Sequence, residues 1–218
     1  VRRGNRFLSQ AFRQAGRWQR IAFNPCDGVV LPRADKRKIR VLDIDEARRF
    51  LTACRKSQSR TVLEFALETG MRPREYLALT WADIDFDERT ARVSKALTLP
   101  KGGGAEIKEP KTPLSNRIIH FSEYMAERLT ELKRSQLEMA EAAARVYSRP
   151  VKPKRSERAV NHHKAAEKFL ARSRSFGLVF PSSRGGPMSF RNLGRRVLKA
   201  TLADAGLPSD ITLYSLRH

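Results

Sequence analysis

The fold is decided by the stretch Thr69-Gly70-Met71-Arg72-Pro73-Arg74-Glu75-Tyr76-Leu77-Ala78-Leu79-Thr80-Trp81-Ala82-Asp83-Ile84-Asp85-Phe86. Gly70 favours the left-handed conformation that ends a helix. Pro73 suits the first turn of a following helix, where its missing N–H costs nothing. We therefore expect Arg72 to lie in a tight junction between two helices, where its side chain is held in one position. The alternative is an ordinary surface arginine in a turn.

The rest of the chain has the composition of a globular and strongly basic protein. Its 218 residues suffice for one substantial domain and a fragment of another. An apolar share of 40% excludes a disordered chain. Lysines and arginines number 44 against 23 acidic residues, a net charge of +21. This charge favours a polyanionic partner, most often nucleic acid, although charge alone does not distinguish DNA from RNA or anionic lipid.

Several other classes of protein are disfavoured. We expect no membrane span and no signal peptide, because no apolar run has the required length. Cys26 and Cys54 make neither a disulfide framework nor a metal site. Residues 100–104 lack the Gly-Lys-Ser/Thr ending of a nucleotide-binding loop. The adjacent His162 and His163 point to different sides of a helix, which disfavours a metal site shared by the two. The expectation is a cytoplasmic protein with no metal and no cofactor.

The N-terminal part predicts a helix followed by a linker. Residues 5–22 carry apolar side chains at helical spacing, and we expect residues 1–24 to be the last helix of a truncated domain. Prolines and a basic run predict an interdomain linker at residues 25–40, leaving 41–218 as the main domain. The candidate DNA-binding residues of the linker are Lys36, Arg37, Lys38 and Arg40.

The main domain begins with helices and continues into strands. Asp43 and Glu46 form the capping-box pattern of a helix start, and a second helix over 59–69 leads into Gly70. Cys54 is expected to be buried as a small apolar residue. Strands are predicted from Ile84, over Ala91–Leu97 and over Arg117–Phe121, the last preceded by the turn residues of Glu109-Pro110-Lys111-Thr112-Pro113-Leu114-Ser115-Asn116.

The second half of the domain predicts three helices. The first two are expected over 122–147 and 156–174. Between residues 131 and 176 there are 12 lysines and arginines against 5 glutamates, a net charge of +7. This segment is either a DNA-contacting insertion or a mobile excursion, and both interpretations stay open. Ser189 predicts the start of the third helix, which Gly206 ends. The candidate DNA-binding residues of the insertion are Lys152, Lys154 and Arg155.

Three motifs in order resemble the tyrosine recombinase (phage integrase) family. Residues 69–86 match its first arginine box, a T-G-x-R-x-x-E core followed by W-x-D-I-D. Lys111 matches the lysine of the K-T-x-x-S-x-R-x-I hairpin. Residues 211–218, Ile-Thr-Leu-Tyr-Ser-Leu-Arg-His, match the second arginine box, T-x-H-x-L-R-H, at Thr212, Leu216, Arg217 and His218. Tyr214 departs from the family, which has histidine there.

The resemblance implies a fold, an activity and partners. The fold is α+β and mainly α, a helical catalytic domain of the DNA breaking-rejoining type with a small antiparallel three-stranded sheet. The activity is site-specific recombination through a 3′-phosphotyrosyl intermediate, for integration or excision of a phage or mobile element. The partners are double-stranded DNA and further copies of the chain, which form a tetrameric synapse in the family.

The resemblance also assigns roles to residues. Arg72 and Arg217 would offer permanently charged, bidentate donors to the phosphate oxygens, where charge builds during attack. Lys111 would protonate the leaving 5′ oxygen. Glu75 would orient an arginine, with a surface helix charge as the alternative, and His218 would support the site. Tyr214 can hydrogen bond to phosphate but is a poor proton shuttle at an unperturbed pKa of about 10.

The family's nucleophile is a tyrosine some tens of residues beyond the second arginine box. The tyrosines here are Tyr76, Tyr124, Tyr147 and Tyr214, which all lie before the end of that box. We therefore expect these 218 residues to be a fragment that binds DNA and holds a phosphate without forming a phosphotyrosyl bond. The alternatives are a non-catalytic DNA-binding relative or regulator and, more weakly, a type IB topoisomerase.

Overall fold

The computed structural model describes residues 2–32, 40–98, 100, 105–109, 116–148 and 157–217. The chain divides into two compact units, residues 1–39 and 40–218.

The first unit contains helix α1, Arg2–Arg17. The helix ends earlier than residue 22 because Gln19 adopts a left-handed conformation, with a φ of 55°. The N–H of Arg20 then bonds to the carbonyl of Ala15 at 2.9 Å, closing the helix in a Schellman arrangement. Glutamine is an uncommon residue at this position, which is why the sequence pattern placed the helix end too late.

The second unit is built mainly from helices. A π-helical turn, Leu193–Leu198, joins its last two helices. The helices are α2 (Ile44–Arg55), α3 (Thr61–Thr69), α4 (Pro73–Tyr76), α5 (Glu123–Ser148), α6 (Glu157–Phe176), α7 (Phe190–Asn192) and α8 (Lys199–Asp204), with 3₁₀ turns at Gln58–Arg60, Trp81–Asp83 and Ser215–Arg217. The strands are β1 (Ile84–Asp85), β2 (Thr90–Val93), β3 (Ala96–Thr98), β4 (Glu106–Lys108) and β5 (Arg117–His120).

The predicted three-stranded antiparallel sheet is confirmed, in the order β1-β2-β5. Ala91 lies opposite both Ile84 and Ile119, and Val93 lies opposite Arg117. The expected strand over residues 91–97 is broken, because β3 leaves this sheet and pairs with β4. The break places Lys95 beside the 3₁₀ turn Trp81–Asp83. The Nζ of Lys95 lies 3.2 Å from both carboxylate oxygens of Asp83.

Two local predictions for the second unit are confirmed, the capping box of α2 and the burial of Cys54. Asp43 accepts a hydrogen bond from the N–H of Glu46 at 2.8 Å, and Glu46 accepts one from the N–H of Asp43 at 3.2 Å, which completes the capping box of α2. Cys54 is fully buried. Burial raises the pKa of its thiol to about 12, with a smaller contribution from the nearby Glu64 carboxylate. The largest fully buried side chains are Tyr76, Phe50, Phe65, Leu63 and Met71.

The described part of the segment 131–176 is anchored to the rest of the unit. Leu170 of α6 is buried. Gln136 of α5 accepts from the indole N–H of Trp81 at 3.0 Å and donates to the carbonyl of Val179 at 2.8 Å. The turn that follows α6 also packs on that helix through Gly185, whose φ is +75°. These helices are therefore part of the domain's packing.

Replacing Gly185 by alanine should lower the free energy of unfolding by about 1–3 kcal/mol more than replacing Gly177 by alanine. Both glycines have a positive φ, so both substitutions carry the same conformational cost. A Cβ at Gly185 would lie 2.7 Å from the carbonyl oxygen of Phe169 in α6, whereas one at Gly177 has no neighbour within 4 Å. Urea unfolding of the two variants measures the difference. Equal losses would show that the turn yields without cost.

Candidate active site

The junction between α3 and α4 has the predicted geometry. Gly70 ends α3 in the left-handed conformation, with φ 59° and ψ 18°, and its N–H bonds to the carbonyl of Ala66 at 3.1 Å. Pro73 is the first residue of α4. Between them Arg72 has extended backbone angles, and 54% of its side chain is exposed. The junction therefore presents the guanidinium of Arg72 to solvent from a backbone fixed on both sides.

Glu75 holds Arg72 from the first turn of α4. One of its carboxylate oxygens accepts from the Arg72 N–H at 2.9 Å, and the other accepts from Nη1 of Arg72 at 3.0 Å. Only 9% of the Glu75 side chain is exposed. Because Glu75 contacts both the backbone and the side chain of Arg72, it restricts the orientation of the Arg72 guanidinium.

Arg117 is a component of this cluster that the sequence did not identify. It lies on the inner face of β5, opposite the buried Val93. Its Nη2 donates to Glu75 at 2.7 Å and its Nη1 at 3.2 Å. A signal was available, because Arg117 occupies the arginine position of the K-T-x-x-S-x-R-x-I pattern, and the alternation of strand side chains turns it inward.

The two arginines control the ionisation of Glu75. Burial on its own would raise the pKa of this carboxyl group. Hydrogen bonds from the Arg117 side chain and from the backbone and side chain of Arg72 outweigh burial, so the pKa lies below its ordinary value. Glu75 is therefore a carboxylate at neutral pH.

The second arginine box folds against the first. Thr212 and Ser215 cap the 3₁₀ turn reciprocally, with Thr212 N to Ser215 Oγ at 3.1 Å and Ser215 N to Thr212 Oγ1 at 3.3 Å. Leu216 is buried, and its neighbour Arg217 is half-buried. A Cβ built on Gly70 would lie 3.7 Å from the carbonyl oxygen of Arg217. The turn that carries Arg72 and the turn that carries Arg217 thus touch.

Tyr214 lies at the edge of this contact. Its side chain is 46% exposed, and its ring packs on Phe190, with the ring centroids 6.1 Å apart and tilted. Tyr76 of α4 lies behind it and is completely buried. Burial raises the pKa of Tyr76, and the nearby Tyr214 adds to the rise. Within the part of the chain that the structure describes, the Tyr76 hydroxyl has no hydrogen-bond partner.

Replacing Tyr76 by phenylalanine should raise the free energy of unfolding by about 1 kcal/mol, because the variant removes a buried hydroxyl that bonds to none of the described residues. Tyr124 is the matched control. Its hydroxyl accepts from Nε of Arg55 at 3.1 Å and donates to Glu64 at 3.3 Å. Tyr124→Phe should therefore lower the free energy of unfolding by about 1 kcal/mol. Thermal or urea unfolding gives both signs, and a loss for Tyr76→Phe would contradict the expectation.

Other predicted site residues lie outside the described residues, and their roles stay predictions. They are Lys111, His218, Lys36, Arg37, Lys38, Lys152, Lys154 and Arg155. Arg40 is described and donates to Glu46 at 2.6 Å, with Asp210 3.6 Å away. Its predicted contact with DNA is also untested.

The described residues contain neither a candidate metal site nor a candidate membrane span. Among the described residues, no three histidine, cysteine or acidic side chains are grouped so that they could hold a metal ion. Within the same residues, no helix combines the length and apolar character needed to cross a bilayer.

Charge is distributed unevenly over the helices of the second unit. The basic face, defined here as the exposed side of α7, the π-turn and the start of α8, makes no ion pair with any described residue. Its members are Arg191, Arg195, Arg196 and Lys199. It adjoins the second arginine box through the contact of Phe190 with Tyr214. The acidic face, on one side of α5, consists of Glu123, Glu127, Glu131, Glu138 and Glu141, all exposed.

Comparison with known proteins identifies a matching family and similar sequences. Residues 40–218 match the sequence profile of the phage integrase family. A XerC-like tyrosine recombinase of Caldanaerobacter subterraneus is 28% identical over 228 residues, which cover 98% of this chain and 52% of the relative. The chain thus spans about half the length of that curated relative.

Two solved structures share the fold. The integrase of the transposon Tn1549, in complex with a circular intermediate DNA, has a TM-score of 0.72 at 21% identity over 100% of this chain and 63% of that one. A lambda integrase tetramer bound to a Holliday junction has a TM-score of 0.53 at 20% identity over 98% of this chain and 48% of that one.

Proposed function

The chain belongs to the phage integrase family, and on that premise we propose that it is the DNA-binding part of a site-specific tyrosine recombinase. The observation that carries the proposal is the contact between the two arginine boxes. Arg72 is oriented by Glu75 and half-exposed, and the turn that holds Arg217 packs on Gly70. Two guanidinium groups in neighbouring turns could both donate hydrogen bonds to the oxygens of one phosphodiester.

The chemistry follows from these positions. Arg72 and Arg217 bind the non-bridging oxygens of the scissile phosphate and stabilise the charge that builds there during in-line attack. Lys111 donates a proton to the leaving 5′ oxygen. Tyr214 hydrogen bonds to the phosphate in place of the family's histidine. The 3′-phosphotyrosyl bond would be formed by the nucleophilic tyrosine that the family carries after the second arginine box.

Duplex DNA is the proposed substrate, and the basic face is its proposed docking surface. That face starts beside Tyr214 and carries positive charge that no described residue pairs, so a duplex bound there would also reach the arginines. The acidic face of α5 repels phosphates and is expected to lie away from the DNA. Several copies would act together on paired sites, as the lambda integrase tetramer on a Holliday junction suggests.

The proposed domain organisation is the one predicted from the sequence, a catalytic domain preceded by a linker and the end of another domain. Residues 41–218 would form the catalytic domain, with a basic helical insertion at about 131–176. Residues 1–24 would be the last helix of a core-binding domain, joined by the linker at 25–40. Support comes from α1 and the turn that follows it, which leave apolar side chains exposed that another helix could cover. They are Phe7 and Leu8 in α1 and Trp18 in the turn.

Covalent trapping tests the proposal. The full-length gene product is incubated with nicked suicide duplexes made from the ends of the element that carries the gene, and adducts that survive denaturation are counted. We expect an adduct with the full-length protein and none with residues 1–218 alone. An adduct with residues 1–218 would show that the nucleophile has been placed wrongly.

A non-catalytic DNA-binding relative is the second candidate, favoured by Tyr214 in place of histidine. In that case the full-length protein would bind the duplex and form no adduct. The variant Tyr214→His separates the two cases further. An adduct gained only by this variant would show a family member that has lost cleavage through the substitution.

A further inference from the structure

The geometry points to Arg117 as a positioning residue for Arg72. We propose that Arg117 engages the carboxylate of Glu75 so that Glu75 orients Arg72 without cancelling its charge toward the phosphate. The inference rests on the proposed function, since it concerns the same phosphate site. It adds a residue outside the arginine boxes and the candidate lysine.

The first step is the symmetry of the contacts on Glu75. One carboxylate oxygen accepts from Nη1 of Arg72 at 3.0 Å and from Nη1 of Arg117 at 3.2 Å. The other accepts from the N–H of Arg72 at 2.9 Å and from Nη2 of Arg117 at 2.7 Å. Both oxygens are therefore shared between the two arginines, and a bidentate guanidinium fixes the plane of the carboxylate.

The second step is the charge of the cluster. Among the described residues, Arg72 and Arg117 are the charged groups that hydrogen bond to Glu75, so the cluster carries one net positive charge. Without Arg117, the nearly buried carboxylate would neutralise Arg72 alone. The potential that attracts a phosphate would then fall, although the Arg72 side chain would still be present. Arg117 supplies the charge that keeps the potential positive.

The third step is topological. Arg117 is the first residue of β5, and the sheet alternation turns it to the inner face, whereas Ile118 points outward and is exposed. β5 follows the turn predicted to carry Lys111. A bond from Arg117 to Glu75 therefore ties the strand after the candidate general acid to the turn that holds Arg72. Displacement of this strand would disturb both.

Removing the charge of Arg117 tests the contact and its consequence separately. In the 218-residue chain, the ionisation of the Glu75 carboxyl group is followed by carbon NMR, and Arg117→Gln should raise its pKa. In the full-length protein, Arg117→Gln should slow the cleavage step at saturating protein by about 10–100-fold, the range typical of outer partners that orient a catalytic group. DNA affinity should change much less than this rate.

Two further variants distinguish positioning from a structural role. Arg117→Lys keeps the charge and should recover part of the cleavage rate. In the Glu75→Gln background, Arg117→Gln should slow cleavage much less than it does in the wild type, because the carboxylate that Arg117 engages is already gone. A structural role for Arg117 predicts the same loss in both backgrounds. Arg92→Gln is the matched control, because Arg92 lies on the outer face of β2 and its loss should leave the pKa of Glu75 and the cleavage rate unchanged.

The outcomes separate this inference from the proposed function. A wild-type protein that forms no adduct overturns the proposed function, while the NMR experiment still measures the contact. A wild-type protein that cleaves, with Arg117→Gln cleaving equally fast or leaving the pKa of Glu75 unchanged, overturns the inference alone. An equal effect of Arg92→Gln, or the same loss from Arg117→Gln in the Glu75→Gln background as in the wild type, also overturns it.

Discussion

Replacing Arg72 by alanine should lower the rate of DNA cleavage by the full-length protein about 100–1000-fold, the usual loss for one donor to a developing oxyanion. The side chain is half-exposed and makes its side-chain hydrogen bond to Glu75, so its removal leaves the core intact. Single-turnover cleavage of a nicked duplex at saturating protein measures the chemical step without a contribution from binding. Arg217→Ala should have an effect of the same order.

The neighbouring Arg74 provides the control for Arg72. It lies in the same first turn of α4, is exposed, and carries the same charge. Arg74→Ala should therefore leave the cleavage rate within about twofold of the wild type. Arg72→Lys should remain strongly impaired, because an ammonium group cannot bind Glu75 and a phosphate through one planar fork. A loss below tenfold for Arg72→Ala would remove the basis for assigning it to the phosphate.

The parts of the site that the sequence predicted depend on contacts within a few residues. Gly70 favours a helix end and Pro73 favours a helix start through their own backbone preferences, which do not depend on distant residues. Asp43 and Glu46 satisfy each other's backbone across one helical turn. Such signals act locally, so their positions could be deduced from spacing alone.

The parts that the sequence missed depend on the tertiary structure. Arg117 meets Glu75 across 42 residues of chain, and only the pairing of β5 with β2 turns it inward. The strand predicted over residues 91–97 is divided because Ala96–Thr98 leaves the sheet and pairs with Glu106–Lys108. Strand alternation predicts that Arg117 points inward, but neither alternation nor spacing identifies the partner that it meets or the strand with which Ala96–Thr98 pairs.

The two oppositely charged faces would give the domain a preferred orientation on DNA. A net charge of +21 attracts a polyanion from any direction, but α5 presents glutamates over several turns. The basic face presents arginines and a lysine that no described carboxylate neutralises. The difference between the faces would therefore set the orientation, and the number of phosphates that the basic face contacts would set the salt-dependent affinity.

Raising the salt concentration from 50 to 200 mM should weaken binding to duplex DNA by roughly 10³–10⁵-fold, if about 6–10 phosphates are neutralised. The plot of log affinity against log salt concentration has a negative slope, and each lost phosphate contact makes that slope shallower by about 0.9. The double variant Arg195→Gln/Arg196→Gln should therefore reduce the slope by about 2. Fluorescence anisotropy of a labelled duplex across a salt series measures all of these slopes.

The matched control removes two positive charges from the side of the acidic face. There Arg89 lies 3.8 Å from Glu123, and Arg134 lies 4.0 Å from Glu138. Arg89→Gln/Arg134→Gln changes the net charge equally and should leave the slope unchanged, because these arginines face carboxylates rather than DNA. Equal slopes for the two double variants would mean that binding depends on total charge alone, and a salt-independent affinity would mean that phosphates are not the ligand.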